Sequence, residues 1–151
     1  MKISEHLDLA EVIRSESAKR NGISNIPTPE HIENFKSLAE AIFEPIRNHF
    51  KVPIRVSSGY RSKELNSLIK GSSFSQHCKG QAIDLDMDGT SITNRQIFDY
   101  IKDNLPFDQL IYEFGDDNNP DWVHVSYVPN GRRQVLKAYK INGQTKYFPY
   151  E

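Results

Sequence analysis

The segment Ser75-Gln76-His77-Cys78-Lys79-Gly80-Gln81-Ala82-Ile83-Asp84-Leu85-Asp86 is the most informative part of this chain for its fold. Its second half alternates apolar and polar side chains, and Trp122–Tyr127 does the same, which predicts two strands that each bury one face. If these strands are neighbours in a sheet, alternation places Asp84 and His124 together on the face opposite the apolar residues. We therefore expect that face to form a cleft.

His77 is a third side chain that can join this pair. It precedes Asp84 by seven positions, an odd offset that would point the two to opposite sides of one uninterrupted strand. Gly80 can supply the turn or bulge that brings them to the same side. Two imidazoles and a carboxylate are ligands that catalytic zinc sites use, with a fourth position left open. A single histidine is more often a surface or sheet residue, but the combined pattern favours a metal site formed by His77, Asp84 and His124.

Length and composition indicate one globular domain covering residues 1–151. The formal net charge is -1 at pH 7, so no basic surplus suggests binding to nucleic acid. No apolar stretch is long enough to span a membrane, and the N-terminus lacks the apolar core of a signal peptide. The single cysteine, Cys78, excludes an internal disulfide. We expect a monomer whose stability comes from packing or from a metal.

Helical patterns dominate the first part of the chain and strand patterns the second. Helices are predicted for residues 7–20, 29–50, 63–70 and 92–104, and strands for residues 54–56, 82–86, 110–114, 122–127, 135–140 and 145–148. Thr28 and Pro29 form a helix start, and Pro45 predicts a kink in the helix that follows. Asn142-Gly143 predicts a hairpin turn between the last two strands. This order indicates an α+β domain, with N-terminal helices packed on a mainly antiparallel sheet.

Three motifs are specific enough to compare with known families. They are Ser57-Ser58-Gly59-Tyr60-Arg61-Ser62 with Leu65-Asn66, Ser75-Gln76-His77 with Gly80, Ala82 and Asp84, and Trp122-Val123-His124-Val125-Ser126. Together they closely resemble the M15 zinc peptidases, which are D-Ala-D-Ala carboxypeptidases and related peptidoglycan endopeptidases, including phage endolysins. The resemblance runs from about Leu7 to at least Tyr127. It implies a hedgehog/DD-peptidase-like fold whose sheet carries a zinc site.

The resemblance assigns roles to individual residues. It makes His77, Asp84 and His124 the ligands of Zn2+. In many relatives a glutamate three residues before the last histidine is the general base, and Asp121 holds that position here. Aspartate is one methylene shorter, and on an ideal strand it would face away from His124, so Asp121 would have to sit in the turn before the strand. Glu113 is the second candidate base, and orienting a metal ligand is its alternative role.

Further residues are assigned to the substrate. The resemblance makes Arg61 the group that holds the substrate carbonyl or the developing oxyanion. Ser75 and Gln76 either hydrogen-bond the substrate backbone or brace the adjacent histidine. Tyr60 and Trp122 are predicted to line a groove for a peptide or a glycan.

The function implied by the resemblance is zinc-dependent hydrolysis of an amide bond in peptidoglycan stem peptides. The sequence does not choose between a D,D-carboxypeptidase, which trims terminal D-Ala, and an endopeptidase, which cuts within the stem or cross-link. A zinc-containing binding module of the same fold and a metal-free structural or wall-binding domain are the alternatives. Because no signal peptide is apparent, we expect synthesis in the cytoplasm and action on the cell wall after lysis or by non-classical export.

Overall fold

The computed structural model describes all residues, 1–151. The helices are α1 (Leu9–Ile13), α2 (Glu16–Arg20), α3 (Pro29–Leu38), α4 (Glu44–Phe50), α5 (Lys63–Leu68) and α6 (Asn94–Asn104). Helix α3 begins as the sequence predicts, because the Thr28 hydroxyl accepts the His31 N–H and Pro29 occupies the first helical position. Ser62 caps α5 and Thr93 caps α6 in the same way. None of these helices has the length and apolar character needed to cross a membrane.

The kink predicted at Pro45 takes the form of a wide π-helical turn, Ala39–Phe43, between α3 and α4. In this turn the Glu44 N–H donates to the Ala39 carbonyl, five residues back. Pro45 has no N–H for the next carbonyl, so the regular ladder is already interrupted at this point and accommodates the wider turn. The helical segment then continues to Phe50.

Two sheets are present. The strands are β1 (Lys2–Ser4), β2 (Leu7–Asp8), β3 (Val56–Ser58), β4 (Ala82–Leu85), β5 (Gln109–Glu113), β6 (Trp122–Ser126), β7 (Gln134–Ile141) and β8 (Gln144–Pro149). Strands β1 and β2 form a small antiparallel ribbon, and the other strands form a six-stranded sheet in the order β3-β4-β6-β5-β7-β8. Every neighbouring pair in the large sheet is antiparallel except β5 and β7, which are parallel. The predicted α+β class with a mainly antiparallel sheet is confirmed.

The N-terminal region differs from the prediction. Residues expected to begin a helix form the β1–β2 ribbon instead, and α1 begins only at Leu9. The Glu11 carboxylate accepts the Asp8 N–H, which fixes this later start. Ser15 caps α2, so the single predicted helix is divided into two short ones. Strand β3 also begins later than predicted, at Val56.

One face of the large sheet packs on the helices and the other is open. Asp84 pairs directly with His124 across β4 and β6. The residues on either side of them in the two strands are fully buried: Ile83, Leu85, Val123 and Val125. These residues belong to a core cluster of 24 buried residues. The predicted alternation is therefore confirmed, and it leaves Asp84 and His124 on the open face.

Candidate metal centre

Two histidines and one aspartate meet on the open face of the sheet. His77 Nε2 lies 3.3 Å from Asp84 Oδ1, and His124 Nδ1 lies 3.1 Å from the same oxygen. One potential ligand atom from each residue lies within 4.8 Å of the others. The three side chains singled out in the sequence are thus brought together, and this group could hold a metal ion.

His77 reaches this group from a short 3-10 turn, Gln76–Lys79, that precedes β4. Gly80 ends the turn in the left-handed conformation, with φ of +72°. A Cβ at this position would overlap the carbonyl oxygen of His31, so glycine is required for space as well as for conformation. The turn predicted at Gly80 is confirmed, and it resolves the odd offset between His77 and Asp84.

A backbone carbonyl holds the His77 ring in one orientation. Its Nδ1 lies 2.6 Å from the Gly59 carbonyl oxygen, and the side chain is only 2% exposed. Since a carbonyl can only accept, Nδ1 carries a proton, and Nε2 is the ring nitrogen that faces Asp84. Glycine is needed at position 59, because a Cβ there would overlap the backbone of Val12. The geometry is that of a metal-ligating histidine held by a backbone carbonyl.

The Asp84 side chain is held in its ionised form, which suits it to bind a cation. Burial alone would raise its pKa, but the charge of His77 and the hydrogen bonds from His124 and His77 outweigh burial and hold the pKa well below its ordinary value. The carboxylate is therefore anionic throughout the physiological range and faces two imidazoles at short distance. A nearly buried carboxylate with two imidazoles is a donor set that fits a divalent metal such as zinc.

Glu113 lies beside the metal-ligand group. In the sheet Ile111 pairs with His124 and Glu113 pairs with Trp122, so these side chains share the open face. Glu113 is 7% exposed, and burial together with the negative charge of Asp84 raises its pKa to about 7. A carboxyl group with this pKa can both accept and release a proton near neutral pH.

Asp121 does not enter the cleft. Its side chain is exposed, and its backbone N–H donates to the Glu113 carbonyl while its own carbonyl accepts from Asn94 Nδ2. These bonds align Asp121 with the start of β6, where alternation points it away from the face that carries Trp122 and His124. Asp121 is also absent from the residues that line the cleft around the metal-ligand group. The structure therefore gives no support to Asp121 as the base and places the second candidate, Glu113, at the site instead.

Arg61 and Ser75 form the other side of the group. Arg61 Nη2 donates to the Ser75 hydroxyl at 3.2 Å, and Arg61 Nε is buried without a hydrogen-bond partner. The Ser75 hydroxyl also accepts the His77 N–H. Of the two roles considered for Ser75, bracing the histidine is the one that these contacts favour. Arg61 also lines the cleft, so its guanidinium can offer a donor to a bound molecule.

Gln76 makes its side-chain contact away from the metal-ligand group. Its Nε2 donates to Asp108 Oδ2 at 3.0 Å. Asp108 in turn accepts two hydrogen bonds from the Arg132 guanidinium and one from the Arg132 N–H. This network connects the turn that carries His77 to the loop that precedes β7.

The two aromatic residues predicted to line a groove differ in position. Trp122 lies in the wall of the cleft, with its ring centroid 5.3 Å from that of Phe114. Tyr60 is 7% exposed, and its ring packs near His31 with a centroid distance of 5.1 Å. Its N–H donates to the Val12 carbonyl, which draws the residue into the core. The groove prediction thus fits Trp122 in position, whereas Tyr60 lies outside the cleft.

The cleft around the metal-ligand group has a volume of about 1010 Å³. Its charged lining residues are mostly basic: Arg61, Lys70, Lys79, Arg132 and Lys140, against the acids Asp84 and Glu113. One wall comes from β7 and β8, which supply residues to which the sequence assigns no role in the site: Gln134, Leu136, Lys140, Thr145 and Tyr147. The hairpin signal at Asn142-Gly143 was the clue that could have placed them opposite one another.

An α+β fold whose open sheet face carries a metal-ligand triad, a buried carboxyl of raised pKa and an arginine defines a hydrolytic metalloenzyme. A protein-family model described as Peptidase M15 matches residues 5–126, most of the chain, and this protein belongs to that family. M15 peptidases depend on a metal, and His77, Asp84 and His124 are the group that could bind it here. No curated protein gives a significant match to the chain.

Proposed function

We propose that this protein is a zinc-dependent peptidase that hydrolyses an amide bond in the stem peptides of peptidoglycan. The observation that carries the proposal is the presence of Glu113 beside the metal-ligand group in one cleft of an M15 family member. The donor set of two imidazoles and one carboxylate supports zinc. The resemblance of the three sequence motifs to peptidoglycan-cleaving M15 peptidases supports the substrate.

His77, Asp84 and His124 would hold the ion, with His77 ligating through Nε2. Zinc bound at such a site supplies Lewis acidity for the scissile carbonyl and lowers the pKa of a water molecule. The chain contributes the fixed orientation of the ligands, since the Gly59 carbonyl holds His77 and the pairing of β4 with β6 holds Asp84 against His124.

Glu113 would act as the general base and then as the general acid. Its carboxyl takes a proton from the attacking water and later delivers it to the nitrogen of the leaving amine. Burial favours the protonated form of this carboxyl, which suits the step that delivers a proton to the leaving amine. Its position opposite Trp122, on the face shared with His124, supports this role in place of Asp121.

Arg61 would stabilise the oxyanion. Its Nη2 is held by the Ser75 hydroxyl, while the buried Nε has no partner in the protein. A pre-oriented cationic donor stabilises negative charge that grows on the carbonyl oxygen in the transition state. We therefore assign Arg61 to the carbonyl oxygen of the scissile amide.

The competing reading as a binding module loses its main support. That reading depended on the absence of a glutamate three residues before His124, and Glu113 supplies a carboxyl to the same cleft from the neighbouring strand. Cleavage is therefore the function that the geometry favours.

The proposal is tested by incubating the zinc-loaded protein with purified sacculi and analysing the released fragments by mass spectrometry. Release of D-Ala identifies a D,D-carboxypeptidase, and release of muropeptides cut within the stem or cross-link identifies an endopeptidase. A His77→Ala variant serves as the control, because it should lose both the metal and the activity. A protein that binds about one zinc per chain and cleaves no stem peptide would contradict the proposal.

A further inference from the structure

The hairpin formed by β7 and β8 is a wall of the cleft that lies beyond the family match, which ends at Ser126. The hairpin joins the sheet through the parallel pairing of β7 with β5. In this register Glu113 pairs with Ala138, and Ala138 pairs with Tyr147 on β8. Paired residues point to the same face of a sheet, so Glu113, Ala138 and Tyr147 form one row across it.

The residue in the middle of this row is small. Ala138 is fully buried although it lies on the open face of the sheet. Strands in a sheet are about 4.8 Å apart, so Glu113 and Tyr147 start from backbones roughly 10 Å apart. A methyl group between them leaves room for the tyrosine ring to lean towards the carboxyl. Tyr147 accordingly lines the cleft together with Glu113 and His124.

The Tyr147 hydroxyl is a hydrogen-bond donor without a partner in the protein. Partial burial, followed by the negative charges of Glu113 and Asp84, raises the pKa of the phenol, which is therefore protonated at neutral pH. The Tyr147 side chain is also 53% exposed, so its hydroxyl is accessible from the cleft that it lines. A ligand in the cleft would cover this ring and meet its hydroxyl.

We propose that Tyr147 is a substrate-binding residue whose hydroxyl donates a hydrogen bond to a backbone carbonyl of the bound peptide, next to the scissile bond on the Glu113 side. This inference rests on the proposed peptidase function and adds one substrate contact to it. The peptide backbone supplies carbonyl acceptors in any stem peptide, whichever bond is cut. The contact places the substrate between the hairpin and the metal-ligand group.

Tyr147→Phe tests the hydrogen bond without removing the ring. Tyr139→Phe is the matched control, because Tyr139 lies in the same hairpin and is 42% exposed, but its position in β7 points it to the opposite face. With soluble muropeptides as substrate, we expect Tyr147→Phe to raise KM by about 3- to 10-fold, the usual effect of losing one neutral hydrogen bond. Its kcat should stay unchanged, and Tyr139→Phe should match the wild-type protein in both constants.

A binding measurement separates this inference from the proposed function. In a Glu113→Gln background, which should bind without hydrolysis, adding Tyr147→Phe should raise the Kd for the same muropeptides by the same factor. If the wild-type protein binds muropeptides but cleaves none, the proposed function fails while the Kd still tests Tyr147. Equal Kd and KM values for Tyr147→Phe and the wild-type protein, or an equal loss in Tyr139→Phe, would overturn the inference.

Discussion

Replacing Asp108 with asparagine should destabilise the protein, because it removes the negative charge of this carboxylate. Protonation at low pH removes the same charge. Asp108 is held by the Arg132 guanidinium through two hydrogen bonds of 3.0 Å and by Gln76 through a third. The hydrogen bonds from Arg132 lower the pKa of this carboxyl from 3.8 to about 2. That difference corresponds to about 2 kcal/mol of folding free energy. The Asp108 side chain is 5% exposed but that of Arg132 is 57% exposed, so solvent screens part of the interaction and we expect about 1–2 kcal/mol.

The pH dependence follows from the direction of the shift. Because the pKa is lower in the folded state, the stabilisation is complete above the unfolded-state value near 4 and disappears as the pH falls towards 2. At pH 6 the free energy of unfolding of the wild-type protein should thus exceed that of Asp108→Asn by about 1–2 kcal/mol, and its Tm should be about 3–6 °C higher. Both differences should vanish near pH 2. Subtracting the free energy of unfolding of Asp108→Asn from that of the wild-type protein at each pH cancels any contribution of metal loss that both proteins share.

Urea denaturation followed by circular dichroism at several pH values is the assay. Asp117→Asn is the control, because Asp117 pairs with Lys137 at 2.8 Å but its side chain is 98% exposed, and we expect no measurable change from its loss. Equal stability of Asp108→Asn and the wild-type protein at pH 6 would refute the reasoning. A difference that persisted unchanged at pH 2 would also refute it, since the effect would then not arise from the charge.

The other predictions concern the cleft. In assays with muropeptides, Glu113→Gln should lower kcat by about 10²- to 10⁴-fold with zinc content unchanged, whereas Asp121→Asn should keep its activity. The reverse result would restore Asp121 as the candidate base. Arg61→Ala should lower kcat by about 10²- to 10³-fold, as removal of an oxyanion donor does, and an effect on KM alone would assign it to ground-state binding. Gly80→Ala should lower the free energy of unfolding by about 1–3 kcal/mol and weaken zinc binding, because φ is +72° and the new Cβ meets His31. Calorimetry and metal analysis would check the two effects. A stable variant with full zinc content would contradict the steric argument.

The metal-ligand group could be predicted from the sequence because its geometry is mostly local. The alternation around Asp84 and around His124 fixes which face each side chain occupies, and only the adjacency of the two strands had to be assumed. Gly80 marks the turn that brings His77 to the same face. These features depend on a few neighbouring residues, which a sequence records directly.

The choice between the two candidate bases could not be made in the same way. Asp121 is three positions from His124 in the chain, but alternation turns it to the other face, and Glu113 reaches the cleft only because β5 pairs with β6. Tyr147 depends on two further pairings, of β5 with β7 and of β7 with β8. Neither the parallel pairing of β5 with β7 nor the position of Tyr147 opposite Ala138 has a local pattern in the sequence. The buried position of Tyr60 likewise depends on a distant partner, the Val12 carbonyl.

The parallel junction between β5 and β7 has a consequence for how this enzyme can change. The candidate metal ligands lie on β4, on β6 and in the turn before β4, whereas the hairpin occupies the outer edge of the sheet. Exposed hairpin positions can thus be exchanged without touching the residues that hold the ion. We expect libraries that vary Lys140, Thr145 and Tyr147 to yield folded, metal-binding variants with altered peptide preference. The edge of the sheet would then be the part of this protein most open to divergence and to engineering, while its centre keeps the candidate metal ligands.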